Sequence, residues 1–165
     1  MTSDDIIGET LKKMRNMITV REAVAGDAPQ IAAFQLSMAL ETEQLMLDPE
    51  VVDHGVAAVF ENPGLGKYYV AEREGEVIAS LMTTYEWSDW RNGTVLWIQS
   101  VFVLPQYRRL GAYRKMYSHL HAMVSADPRL RGLRLYADRS NLTAHQAYHR
   151  MGMTSEHYLT FEWMK

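Results

Sequence analysis

Apolar and polar positions change their period several times along this chain, and each change marks an element. Ile6, Ile7, Leu11 and Met14 recur at near-helical spacing, so residues 1–16 read as an appended helix or leader. Ile18–Glu22 predicts a first strand. Gly26-Asp27 is a turn and cap, and Ile31, Phe34, Leu36 and Met38 place a helix over 28–43. Pro49 suits a first helical turn and predicts a second helix to about Phe60, stopped by Asn62-Pro63-Gly64. Lys67–Glu72 and Glu76–Glu86 predict a hairpin joined at Gly75. Asp89–Thr94 reads as a loop and Val95–Leu104 as a long strand. Ala112–Val124 predicts a helix with Met116, Leu120 and Met123 inward. Leu133–Ala137 alternates as a further strand, and Tyr158–Met164 predicts a last one. Between them, Ala144, Ala147, Tyr148 and Met151 share one face of a short helix, and Gly152 follows as its left-handed end. The sum is an α/β (α+β) fold, with an antiparallel hairpin region followed by a β-α-β unit. No repeat or linker divides it, so residues 17–165 read as a single domain.

The chemistry concentrates in residues 101–117. Val101, Phe102 and Val103 form an apolar run, and Pro105 ends it because proline has no N–H for a sheet ladder. Arg108, Arg109 and Gly111 then precede an amphipathic helix. A helix start leaves several backbone N–H groups unpaired and pointing one way. Together with the positive end of the helix dipole and the two arginines, they make an anion site suited to a phosphate or pyrophosphate. Glycine lets backbone and ligand come close.

This segment resembles motif A of the GCN5-related N-acetyltransferases, the GNAT family: Arg/Gln-x-x-Gly-x-Gly/Ala between a strand and a helix. Here it reads Arg108-Arg109-Leu110-Gly111-Ala112-Tyr113, with Tyr113 where the family has Gly or Ala. A second stretch, Asn141-x-x-Ala144-x-x-x-Tyr148-x-x-x-Gly152-Met153, resembles the family signature Asn-x-x-Ala-x-x-x-Tyr-x-x-x-Gly-Phe. The two occur in family order, with a helix between them. The resemblance covers roughly residues 18–165. It implies a mixed, mostly antiparallel twisted sheet flanked by helices, with strands splayed where acetyl-coenzyme A enters. It assigns coenzyme contacts to Val101, Phe102, Val103, Arg108, Arg109, Leu110, Gly111, Ala112, Tyr113 and Asn141. The backbone of 101–103 would pair with the amides of the pantetheine arm as an added strand would.

Acetyl transfer to an amine has definite needs. The amine must be neutral to attack, yet a lysine-like amine is protonated near pH 7. A carboxylate, directly or through water, takes that proton. The oxyanion wants a backbone N–H, and the departing thiolate wants a proton. Tyr148 matches the family position that commonly serves as this acid. The glutamate that many relatives carry on the long strand is absent from Leu96-Trp97-Ile98-Gln99-Ser100. Glu86 and Asp89, beside Trp87 and Trp90, are the nearest acidic candidates, in a patch suited to a cationic or aromatic amine. Glu41 and Glu43 are a second pair.

Composition adds exclusions. A net charge of −3 gives no general pull toward nucleic acid or anionic membrane, so the Arg108, Arg109 and Arg114 cluster stands out locally. The chain has no cysteine, which removes disulfides and thiolate chemistry. His145 and His149 share a helix face, but no third ligand follows at a metal-binding spacing, so no metal is expected. No apolar run is long enough to cross a membrane, and the start lacks the pattern of a signal peptide. The expectation is a cytoplasmic acetyltransferase acting on a small-molecule or peptide amine, with room for a homodimer. A non-catalytic acyl-coenzyme A-binding module of the same fold is the alternative.

Overall fold

The computed structural model describes residues 5–9, 13 and 17–165. Residues 5–9 are helical, while Leu11 and Met14 of the expected leading helix lie outside the described residues. The chain forms two compact units, Met1–Arg134 and Leu135–Lys165.

The first unit holds five strands: β1 (Ile18–Glu22), β2 (Lys67–Arg73), β3 (Glu76–Ser88), β4 (Gly93–Val103) and β5 (Leu130–Arg134). They lie in the order β1-β2-β3-β4-β5, antiparallel except for the parallel β4–β5 pair. Helices α1 (Ala28–Glu43) and α2 (Pro49–Glu61) follow β1, and α3 (Ala112–Ala126) joins β4 to β5. Parallel neighbours need such a crossover. Glu74 and Gly75 both adopt positive φ, 53° and 83°, as the tight β2–β3 turn requires.

Alternation along β2 divides the core. Tyr68 and Val70 face α1 and α2, where they pack with Ile31, Ala32 and Val56. Tyr69 faces the other way, and its hydroxyl donates to Met123 Sδ of α3 at 3.4 Å. Met116 and Leu120 of α3 are fully buried, as their spacing predicts, whereas Met123 is half-buried. Lys115 Nζ ties α3 to the Ile18 carbonyl at 2.7 Å.

Two expectations are corrected. The strand placed at 133–137 lies at Leu130–Arg134, and residues 135–138 leave the sheet. Apolar alternation shows which positions suit a face, but pairing with β4 decides where the strand is, and that pairing ends at Trp97–Arg134. The strand expected over Tyr158–Met164 is also absent. Its alternation persists, yet the segment joins no sheet ladder, and Tyr158, Leu159, Phe161 and Trp163 are exposed. The second unit instead contains one helix, α4 (Leu142–Arg150). Asn141 caps it, its Oδ1 accepting from Ala144 N at 3.0 Å.

Candidate active site

The sheet is disrupted where the chemistry was expected. Ser80 pairs with Phe102 and Met82 with Gln99, so Ser100 and Val101 share one position opposite Leu81. This is a β-bulge, and Ser100 takes a left-handed φ of 52° within it. A non-glycine residue in that region costs of order 1 kcal/mol or more and persists only where surrounding structure enforces it. Beyond the bulge β4 runs on through Val103, but β5 pairs with it only as far as Trp97. Among the described strands nothing pairs with the outer flank of Ile98–Val103. β5 itself ends at Arg134, so the edge of β4 is left open from Ile98 onward among the described strands.

The turn after β4 is a short 3-10 segment, Pro105–Tyr107, followed by Arg108 to Gly111. Arg109 has φ 64° and Gly111 φ 86°, and Gly111 is the N-cap of α3 with no side-chain cap hydrogen bond. Gly111 thus offers the first amides of α3 no side-chain acceptor, and Lys115 N bonds Gly111 O at 3.0 Å in the first helical turn. Leu110, Gly111 and Tyr113 are half-buried and Ala112 is buried. Arg109 and Arg114 are exposed, and among the described residues neither forms an ion pair.

Arg108 is differently placed. Its Nη1 and Nη2 donate to Glu41 Oε1 and Oε2 at 2.5 and 2.7 Å, and its Nε donates to the Val103 carbonyl at 2.9 Å. Its guanidinium lies 5.6 Å from the Phe102 ring centroid, and Phe102 in turn packs on Phe34 of α1 at 5.2 Å. The Val103 carbonyl, expected to be open to a ligand, is therefore already occupied. Arg108 also holds the Glu41 carboxyl below the usual carboxylate range.

Register puts a polar row on the α1 side of β3 and β4. Gln99 donates to Thr84 Oγ1, and Trp97 Nε1 donates to Glu86 Oε2. Arg134 Nη1 on β5 donates to Glu86 Oε1 at 2.6 Å, reaching across β4. The Trp97 and Arg134 bonds together hold Glu86 below the ordinary carboxylate range. The strand period separates Glu86 from its sequence neighbours. Trp87 points to the opposite face and is exposed, while Asp89 and Trp90 lie in a short 3-10 turn. The expected acidic-aromatic patch is therefore split. Trp97 and Arg134, which sequence reasoning missed, are Glu86's partners. The pattern carried a weak signal for Trp97, which falls on the Glu86 side of the hairpin once register is known. It carried none for Arg134.

In the second unit Tyr148 is half-buried on α4, with its carbonyl accepting from Met151 N and Met153 N at 3.0 and 3.1 Å. Asn141 and Tyr148 thus share one helix, Asn141 at its cap and Tyr148 near its end.

A family model for GNAT acetyltransferases matches residues 35–153. The chain belongs to the GNAT acetyltransferase family. A protein from Clostridium difficile 630, described as a possible acetyltransferase, is 38% identical with a TM-score of 0.84, over 90% of this chain and 98% of its own. Two distant structures share the GNAT fold. One is an aminoglycoside acetyltransferase from an uncultured soil metagenomic sample, in complex with sisomicin, at 15% identity and TM-score 0.73, over 92% of this chain and 98% of that one. The other is a ribosomal-protein-alanine N-acetyltransferase from Brucella melitensis biovar Abortus 2308, at 12% identity and TM-score 0.72, over 90% and 99%. No curated protein matches the chain. Among the described residues, no helix is long and apolar enough to cross a membrane, and no group of three or more His, Asp or Glu is arranged to hold a metal.

Proposed function

We propose that this acetyltransferase moves the acetyl group of acetyl-coenzyme A to a primary amine, of a small molecule or a peptide, by direct attack. The observation that carries the reading is the bulged end of β4, past its last pairing with β5, leading into a helix start without a side-chain cap beside the exposed Arg109 and Arg114. Such a turn suits a diphosphate, and such a strand flank suits a chain of amides. Val101 and Phe102 would line the pantetheine arm. Leu110, Gly111, Ala112 and Tyr113 would offer amides to the diphosphate, and Arg109 charge. Asn141, besides capping α4, would contact the coenzyme as its motif position implies.

In this reading Tyr148 protonates the departing thiolate, since a phenol stays protonated at neutral pH. Glu86 acts on the acceptor. Two hydrogen bonds into its carboxylate make it a weaker base than a free one, but they keep it charged. Its larger contribution is then attraction of the acceptor's ammonium form, with the proton passing on to solvent. The deciding experiment is release of free thiol from acetyl-coenzyme A in the presence of an amine panel. Amine-dependent release, lowered in Glu86→Gln mainly through the acceptor's KM, is expected. Binding of acetyl-coenzyme A without release under any amine would point to the binding module instead.

A further inference from the structure

The end-on fork of Arg108 is filled. Three of its five N–H donors are engaged, one on each Nη by Glu41 and the Nε–H by the Val103 carbonyl. Glu41 stands in the last turn of α1, where the helix dipole is negative and no basic residue of the helix offsets it. Arg108 supplies the missing cation. The pair is on the surface, with side-chain exposures of 40% and 45%, so it can open without disturbing the core. The Phe102 ring, itself packed on Phe34, gives the guanidinium a support that does not depend on Glu41.

From this we infer that Glu41 is an internal competitor for the coenzyme's diphosphate: it occupies Arg108 in the free protein and gives the guanidinium up when the diphosphate arrives at the 108–113 turn. The inference rests on the acetyl-coenzyme A reading above. Both anions suit the same pair of Nη donors, and a carboxylate and a phosphate cannot both hold that pair bidentately at once. Coenzyme binding therefore includes the breaking of one ion pair, and the released Glu41 carboxylate returns toward its ordinary range as its cation leaves.

The test is calorimetric titration of coenzyme A, at low salt, into the unchanged protein, Glu41→Gln, Arg108→Gln and the double variant. If Glu41 competes, Glu41→Gln binds roughly two- to fivefold more tightly, the range set by a surface ion pair. A merely structural contact would move affinity the other way. The gain should vanish when Arg108 is also Gln, because there is then nothing to compete for. S-acetylpantetheine, which has no diphosphate, should bind Glu41→Gln and the unchanged protein alike. Equal or weaker coenzyme A binding by a folded Glu41→Gln would overturn the inference while leaving the coenzyme site standing. Coenzyme A binding by none of the four proteins would overturn both.

Discussion

At the scale of single residues, two positions decide whether the site is what its shape suggests. Gly111 combines a φ of 86° with the position nearest the first amides of α3. Gly111→Val would strain the backbone by roughly 1–2 kcal/mol and put a branched side chain where an anion must approach. Coenzyme A affinity should fall at least tenfold in calorimetry, with the protein still folded by circular dichroism; unchanged affinity would place the diphosphate elsewhere. Tyr148→Phe keeps the ring and removes the hydroxyl. Turnover should drop by roughly 10²–10⁴, the range for general acid–base groups, while coenzyme A affinity changes little. Near-normal kcat would return Tyr148 to a packing role.

At the scale of elements, close approach and charge set the frame around the site. A Cβ on Gly93 would lie 2.7 Å from the Arg129 carbonyl and 2.6 Å from Arg131 Cγ. The carbonyl is backbone, and it also accepts from Thr94 N at 2.8 Å, so it has little freedom to retreat. Gly93→Ala should therefore destabilise by about 1–3 kcal/mol in a urea titration, the usual range for overpacking. Farther along the sheet, Arg21 binds Asp27 at 2.7 Å and Glu72 at 2.6 Å, joining β1, the start of α1 and β2. The Arg21 bonds hold Asp27, which is only 8% exposed, below its ordinary range. A depressed carboxyl stabilises the folded state above its unfolded value near 3.9, and that contribution is lost as pH falls through the folded value. Melting temperature should decline below about pH 4, and less steeply in Asp27→Asn, which should itself cost about 1–3 kcal/mol at neutral pH. The same scale shows what was legible in the sequence. The helix Ala28–Glu43 matches its predicted bounds, with a proline in its first turn as a local start signal. β5 shifted, and Tyr158–Met164 formed no strand, because a strand exists only through its neighbour. The turn at 108–113 was legible as a motif. The Arg108–Glu41 and Glu86–Arg134 pairs, 67 and 48 residues apart in sequence, were not, since only the folded sheet brings their members together.

At the scale of the whole molecule, a mildly acidic chain carries the Arg108, Arg109 and Arg114 cluster just after the open edge of β4. A ligand that binds there and not to the unfolded chain adds stability by mass action. At a hundredfold excess over its dissociation constant, coenzyme A should add about 2.7 kcal/mol, which for a chain of this size is a rise of roughly 5–10 °C in Tm. Differential scanning fluorimetry across a concentration series would read it, and a flat response would remove the coenzyme from the assignment. The pairing of β4 with β5 also has a defined end. Arg134 is the last β5 residue to pair with β4, and it is the residue that reaches over β4 to Glu86 on β3. The clamp stands where the ladder stops: β4 and β5 are paired up to it, and past it the edge of β4 has no strand partner among the described residues. The open edge of β4 thus has a fixed beginning, so an extended guest that added to it as a strand would have its position set by Ile98, the first residue past that boundary.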